Sequence, residues 1–199
     1  MIRQTFQRKG YHTVRTEHPY VFTEEGFPPY PKGIWLTDEE FARGASKFVY
    51  CCVDVAFWHR HPDSDGVILD LARRRIIPAC GEWWVFGGAM KVGETIEGAA
   101  LWHLKEDTGL EVDPDRLVLL DPRPRQYRWA NGKGGLPNHV FVDIFALEVS
   151  PQEIADASAH LDSGEYELNS GIRAFGRPGG LHPAMLRVYD EIDQFFGKR

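Results

Sequence analysis

The sequence predicts an α/β fold in which helices cover a central mixed β-sheet. Two long apolar segments, 47–57 and 139–149, are rich in β-branched residues, which is typical of strands buried in a sheet. Between them, segment 95–108 carries the apolar spacing and the end signals of a helix. Strands come first, then a helix, then strands, then helices, and this order favours an α/β sandwich.

The N-terminal part of the chain is rich in aromatic residues and prolines and shows no regular period. We expect residues 1–36 to be ordered and packed, either on the core of their own chain or across a homodimer. A short helix is predicted after them, because Thr37 and Glu40 have the spacing of a capping box. We therefore divide the chain into an N-terminal extension, 1–45, and a main domain, 46–199.

Three strands are predicted in the first half of the main domain. The apolar run 47–57 reads as a strand buried on both faces. A polar hairpin connection leads to the returning strand, 66–72. A shorter strand, 81–86, ends at Gly87 and Gly88, where glycine allows a tight turn and a close approach of the backbone.

The helix over 95–108 has a start signal and a stop signal. Thr95 is an N-cap residue, and Gly109 is suited to the left-handed conformation that ends many helices. Its apolar side consists of Ile96, Ala99, Ala100 and Leu104.

The second half of the chain is predicted to contain two more strands and two helices. The strands are 117–120 and 139–149, and the loop 121–138 joins them. A helix begins within 150–160, and an amphipathic helix over 181–196 completes the fold.

Composition limits the classes of partner. The formal net charge of −6 argues against nucleic acid or a membrane surface, both of which attract basic proteins. No stretch approaches the ~20 apolar residues of a membrane span, and the N-terminus lacks the apolar core of a secretory signal. We interpret the three cysteines as small buried apolar residues of a cytoplasmic protein: Cys51, Cys52 and Cys80.

Three polar side chains share one face of the predicted helix. His103, Glu106 and Asp107 stand at positions i, i+3 and i+4. Carboxylates beside a glycine turn suit Mg²⁺ or Mn²⁺, and the carbonyl of Gly87 could complete the shell. The alternative is an ordinary charged helix face that is exposed to solvent.

The spacing of the whole segment resembles the Nudix box. That box is Gly, five residues, Glu, seven residues, then Arg-Glu-U-x-Glu-Glu-x-Gly-U, with U apolar. Six positions match without insertion: Gly88, Glu94, Leu104, Glu106, Gly109 and Leu110. Asp107 replaces a glutamate conservatively, whereas Trp102 stands in place of the arginine and His103 in place of the first helix glutamate.

The resemblance implies a Nudix-type α/β/α sandwich with a central mixed β-sheet, and a site that uses Mg²⁺ or Mn²⁺. Glu106, Asp107 and the backbone carbonyl of Gly87 match the family's metal ligands. The positions that shape the box are Gly88, Glu94 and Gly109. The candidate catalytic residues are His103, Glu106 and Asp107.

Two departures from the box bear on catalysis. In the family, the glutamate at the position of His103 binds metal and often acts as the base. A neutral histidine there could accept a proton or bind Mn²⁺ or Zn²⁺. Trp102 cannot make the ion pairs of the missing arginine. Glu165 and Glu167 lie where family members often supply a further carboxylate, so either is a candidate third ligand or base.

Outside the box the chain is similar to the GDP-mannose mannosyl hydrolase branch, whose members cut at the sugar carbon. Asp54 and Arg74 match residues that contact substrate in that branch, whereas Ala89 and Trp102 stand where it has arginines. Asp54 also stands out because a carboxylate inside an apolar strand is costly unless it is paired or faces a wet cavity. A buried salt bridge explains it equally well.

Several arginines could clamp a diphosphate through bidentate contacts, and Arg128 is a candidate among them. Arginines that face solvent are the equally good alternative. Together, these features predict a metal-dependent hydrolase of a nucleoside diphosphate linked to another group, such as a sugar. The alternative is a binding module of the same fold that holds a nucleotide-type ligand without turnover.

Overall fold

The computed structural model describes residues 36–121, 123–130, 132, 135–176 and 180–197, together with the backbone of two short paired strands. These strands are β1 (Gln7–Arg8) and β2 (Tyr11–His12), and they are antiparallel. The prediction that the N-terminal 36 residues are packed lies outside the described residues.

The first described helix is α1 (Asp38–Ala45), and its start is the predicted capping box. The backbone N–H of Glu40 donates to Thr37 Oγ1, and the N–H of Thr37 donates to Glu40 Oε2 at 2.8 Å. Two backbone donors at the helix start are satisfied in this way, so local sequence alone fixes where the helix begins.

One mixed sheet holds the remaining strands. They are β3 (Tyr50–Arg60), β4 (Val67–Arg73), β5 (Trp83–Trp84), β6 (Phe86–Ala89), β7 (Val118–Leu119), β8 (Arg125–Trp129), β9 (Asn138–Glu148) and β10 (Ile172–Phe175). The main strand order is β10-β4-β3-β9-β7, with β5 paired to β4, β6 to β3 and β8 to β9. The central pair, β3 and β9, is parallel, and the other pairs are antiparallel.

Helices cover both faces of this sheet. They are α2 (Ile96–Thr108), α3 (Pro151–Ala159) and α4 (Pro183–Phe196). On one face Val53, Val55 and Phe57 pack in one core with Ala99, Ala100 and Leu104 of α2. On the other face Ala56 and Trp58 pack in one core with Met185, Val188 and Ile192 of α4. Each large apolar side chain that is fully buried in these cores stabilises the folded state by ~1.5–3 kcal/mol. The helices on both faces of the sheet confirm the predicted α/β/α sandwich.

The ends of α2 agree with the sequence prediction. The side chain of Thr95 accepts the N–H of Gly98, and Gly109 closes the helix in the left-handed conformation with φ 71°. The cap of α3 is also local, because Ser150 and Glu153 form a second capping box.

The segment 121–138, which the sequence predicts as a loop, contains strand β8, so that prediction is wrong there. Arg125, Tyr127 and Trp129 are half-buried and alternate with exposed side chains, which is the period of a strand. Arginine and glutamine in this short segment conceal the alternation from a reading based on hydrophobicity.

The cysteine prediction is also wrong in part. Cys51 and Cys80 are exposed, and Cys52 is half-buried. Cys51 is the second residue of β3, and the buried part of this strand begins only at Val53. Across the described ranges, none of the helices combines the length and the apolar character that a membrane span requires.

Candidate active site

Strand β6 lies unusually close to β3, and this contact positions the start of the box. Gly87 pairs with Asp54, and its φ of 146° is a conformation that residues with a side chain rarely adopt. A Cβ atom at Gly87 would lie 2.1 Å from the carbonyl oxygen of Val53 and 2.7 Å from the Cα of Asp54. Only glycine fits at position 87, because any side chain would collide with the backbone of β3.

Asp107 is the acid that the fold buries against this glycine. Its carboxylate oxygen Oδ2 accepts the backbone N–H of Gly87 at 2.9 Å and the hydroxyl of Tyr166 at 3.1 Å. Burial raises the pKa of Asp107 to about 7, although the two hydrogen bonds oppose the shift. At neutral pH this carboxyl group is therefore close to its titration midpoint.

A buried cation stands beside Asp107. Arg74 donates from Nη2 to Glu165 at 2.7 Å, and its guanidinium carbon lies 5.8 Å from the ring centre of Tyr166. Its Nε atom is buried and has no hydrogen-bond partner among the described residues. We call Arg74, Gly87, Asp107, Glu165 and Tyr166 the Asp107 cluster. It contains an acid, a paired cation and a donor that a ligand could satisfy.

His103 stands directly over the second glycine of the pair. A Cβ atom on Gly88 would lie 2.5 Å from His103 Cε1, so glycine is required for this side chain to fit. His103 Nε2 is 3.1 Å from the carbonyl oxygen of Ala89. Because a carbonyl can only accept, Nε2 carries the proton and Nδ1 is the basic atom. Burial lowers the pKa of His103, so the ring is neutral at pH 7.

Lys91 and Trp102 stack where the family has its arginine. The Lys91 ammonium lies 3.1 Å from the centre of a Trp102 ring, and the ring of Trp102 meets that of His103 edge-on at 4.8 Å. Glu94 accepts the backbone N–H of Lys91 at 2.7 Å, which holds the turn before α2. A positive charge is therefore retained beside position 102, although it comes from the turn.

The predicted metal ligands have different surroundings. Glu106 is exposed, Asp107 is buried against Gly87 and Tyr166, and the Nε2 of His103 is engaged by Ala89. Within the part of the chain that the structure describes, no group of three or more His, Cys, Asp or Glu side chains could hold a metal ion. This arrangement does not fit a ready-made Mg²⁺ or Mn²⁺ site.

Asp54 faces the α4 side of the sheet, since Ala56 and Trp58 of the same strand lie in that core. It is 7% exposed, and burial raises its pKa to about 7, while Arg74 and Arg125 oppose the shift. The charges of Arg74 and Arg125 thus both act on this carboxylate, as in a buried cluster of ions.

The raised pKa of Asp54 predicts a pH effect on stability. The folded state holds the proton up to about pH 7 and the unfolded state only to about pH 4, so stability falls as pH rises between these values. Asp54→Asn should remove the Asp54 contribution to this slope, leave that of Asp107, and raise stability at pH 8 by an amount on the order of 2 kcal/mol. Urea denaturation at several pH values measures both effects, and identical slopes in the two proteins would contradict the assignment.

The remaining sequence candidates lie at different places. Glu165 joins the Asp107 cluster, whereas Glu167 pairs with Arg73 at 3.4 Å. Arg128 is exposed on β8. Sequence analysis missed Tyr166, which is 1% exposed and hydrogen-bonds to Asp107. No local pattern marks a tyrosine between two glutamates as the partner of an acid 59 positions earlier.

Comparison with known proteins places this geometry in context. The profile of the NUDIX domain matches residues 55–169, more than half of the chain. No curated protein matches the chain significantly in sequence.

Several solved structures share the fold. A MutT NUDIX hydrolase from Burkholderia pseudomallei superposes with a TM-score of 0.52 and 18% identity over 73% of this chain and 98% of that one. An Ap4A hydrolase from C. elegans, in a binary complex, gives 0.50 and 14% over 74% and 97%. A MutT/nudix family protein from Enterococcus faecalis gives 0.46 and 16% over 67% of this chain, which spans 46% of that longer protein. The two superpositions with TM-scores of 0.50 and above show a common fold, and at identities this low they show nothing more.

Proposed function

The chain belongs to the Nudix domain family, and on that premise we propose that it hydrolyses a nucleoside diphosphate linked to another group, such as a sugar. The predicted enzyme class, a Nudix-type hydrolase, agrees with this membership. The preference for a nucleotide sugar rests on the similarity of Asp54 and Arg74 to the GDP-mannose mannosyl hydrolase branch.

The Asp107 cluster is the observation that carries the proposal. A carboxyl group with a pKa of about 7 can hold or release a proton at neutral pH. Arg74 brings a positive charge next to it and has an unpaired buried Nε–H donor. A diphosphate oxygen is a suitable acceptor for this donor, because arginine binds phosphate with charge-assisted hydrogen bonds.

His103 is the candidate general base. Its ring is held by the Ala89 carbonyl through Nε2, so Nδ1 is available to accept a proton from water. As that proton moves to Nδ1, the water oxygen forms the new bond to the substrate, and the bond to the leaving group breaks with its electron pair on the leaving oxygen. For this step the chain must supply a neutral His103 and a positive charge, that of Arg74, beside the diphosphate of the substrate.

Mg²⁺ or Mn²⁺ remains a proposal drawn from the family, with Glu106, Asp107 and the Gly87 carbonyl as the proposed ligands. Because no three described side chains form a group that could hold a metal ion, we expect the wild-type protein to bind Mn²⁺ weakly. His103→Glu adds a carboxylate on the face of Glu106 and Asp107, and should tighten Mn²⁺ binding about tenfold or more.

Calorimetric titration of Mn²⁺ into wild type and His103→Glu measures this change, and His103→Gln is the matched control without added charge. Equal affinities in all three proteins would remove position 103 from the metal site. They would leave family membership unaffected, since it rests on the sequence profile and the fold.

A binding module without turnover is the second candidate. Among the described residues, no three side chains form a group that could hold a metal ion, and this favours the binding module. The Asp107 cluster would then hold a nucleotide-type ligand through Arg74 and neighbouring groups.

Thermal-shift and product assays separate the two candidates. Nucleotide sugars, ADP-ribose and diadenosine tetraphosphate are offered with and without Mn²⁺. A stabilising shift accompanied by product supports the hydrolase, and a shift without product supports the binding module. If none of these compounds shifts the melting temperature or yields product, both proposals fail.

Assembly and location are further proposals. The aromatic N-terminal extension, 1–45, supports a homodimer, and membership of the Nudix family supports a cytoplasmic location. Light scattering during size-exclusion chromatography, with and without the extension, tests the dimer. A monomeric mass for the intact chain would contradict it.

A further inference from the structure

A cleft lies at the end of the sheet where β3 and β9 begin. It has a volume of about 480 Å³ and is lined by three segments: 45–49, 128–130 and 137–139. None of the lining residues belongs to the Asp107 cluster. The size is within the range of small-molecule sites.

The charge of this cleft is opposite to that of the whole chain. Lys47 and Arg128 line it together with His139, and among the described lining residues none is an aspartate or glutamate. Lys47 and Arg128 are exposed, and neither forms an ion pair with a described residue. Two cations in one cleft of a chain with net charge −6 favour an anionic ligand.

The sheet fixes the position of two basic residues. Arg128 of β8 is the direct cross-strand partner of His139 of β9, so both project from the same face at a Cβ separation of roughly 5 Å. One polar atom on this face, His139 Nε2, is buried and has no hydrogen-bond partner among the described residues. A bound ligand with a polar group would satisfy this atom.

The cleft also has an exposed aromatic side chain. Phe48 is 72% exposed, which is unusual for a large apolar side chain unless a ligand or partner covers it. An exposed aromatic ring beside two cations suits a planar group that carries a phosphate.

From these features we infer that the cleft binds a phosphorylated ligand with a planar aromatic group, of which a nucleoside monophosphate is the simplest example. Lys47 and Arg128 bind the phosphate, and Phe48 contacts the planar group. The inference goes beyond the proposed function, since binding here requires no hydrolysis and no residue of the Asp107 cluster.

The distance from the cleft to the candidate active site allows two sources for the phosphorylated aromatic group. His139 and Asp143 are four residues apart on β9, or ~13 Å, and Asp143 is the cross-strand partner of Val53 beside Gly88. The group is therefore either a free nucleotide or the far end of a substrate long enough to span that gap.

Calorimetric titration of the full chain with adenosine 5′-monophosphate and with inorganic phosphate tests the inference at low ionic strength. Arg128→Glu and Lys47→Glu should each weaken both ligands about tenfold or more. Phe48→Ala should weaken the nucleotide and leave inorganic phosphate unchanged. Arg123→Glu, a charge reversal at a side chain that is 88% exposed outside the cleft, is the matched control and should bind as wild type does.

Asp107→Asn separates this inference from the proposed function. Nucleotide binding that survives in Asp107→Asn and fails in Arg128→Glu supports the cleft. The reverse result overturns the cleft and assigns the nucleotide to the active site. Absence of nucleotide binding to wild type, or equal binding by wild type and Arg128→Glu, also overturns it, provided that circular dichroism shows both proteins folded.

The two sources are separated with diadenosine tetraphosphate. If Arg128→Glu raises KM for this long compound and leaves KM for ADP-ribose unchanged, the cleft holds the far end of a substrate. If both KM values are unchanged while monophosphate binding is lost, the cleft holds a free nucleotide.

Discussion

Gly87→Ala is expected to reduce the free energy of unfolding by more than about 4 kcal/mol, because the new Cβ meets backbone and not flexible side chains. It would lie 2.1 Å from the Val53 carbonyl oxygen, in a conformation with φ 146°. Relief requires β6 to move away from β3. That movement breaks the strand pairing and the Gly87 N–H bond to Asp107.

Gly44→Ala is the matched control. Gly44 lies in α1, and a Cβ atom there has nothing within 4 Å. Alanine is favoured over glycine in a helix, so this change should stabilise the chain by up to ~1 kcal/mol. Urea denaturation of both variants measures the difference. A Gly87→Ala variant with the denaturation midpoint of wild type would show that β6 does not approach β3 this closely.

His103→Gln is expected to lower kcat about 100-fold or more and leave KM near the wild-type value, on the premise that His103 is the base. Glutamine retains an N–H group that can donate to the Ala89 carbonyl, but it offers no atom that accepts a proton from water at neutral pH. His61→Gln, in the connection between β3 and β4, is the control and should retain full activity.

The pH profile supplies the second measurement. Burial lowers the pKa of His103, so the neutral ring persists below the ordinary value of about 6.5 and is lost as pH falls further. Turnover by the wild type should therefore fall on the acid side of the ordinary imidazole value, and the slow His103→Gln variant should lack this limb. An unchanged acid limb in the variant would assign the titration to another group, such as Asp107.

Local sequence determined most of the elements of this protein. The boundaries of α1, α2 and α3 follow from Thr37, Thr95 and Ser150, whose side chains satisfy N–H groups within a few residues. The long strands β3 and β9 follow from continuous apolar runs, because both faces of the sheet are covered. The spacing from Gly88 to Leu110 indicated the family before any contact was known.

Strand β8 and the state of the cysteines lay beyond sequence analysis, for a common reason. The alternation in β8 depends on which face of the sheet is covered by the rest of the fold. Arg125 is half-buried there and pairs with Glu191 of α4. Cys51 is exposed because the helical layers do not reach the outward end of β3. Both outcomes depend on residues far away in sequence.

The tertiary structure alone decided how the box residues are used. Helical spacing places His103, Glu106 and Asp107 on one side of α2, but the surroundings of each differ: the Ala89 carbonyl, solvent, and the Gly87–Tyr166 pair. Periodicity fixes the direction in which a side chain leaves its helix. The positions of the polar atoms of that side chain, and therefore its pKa, depend on hydrogen bonds and burial. These contacts come from β6 and from the segment after α3.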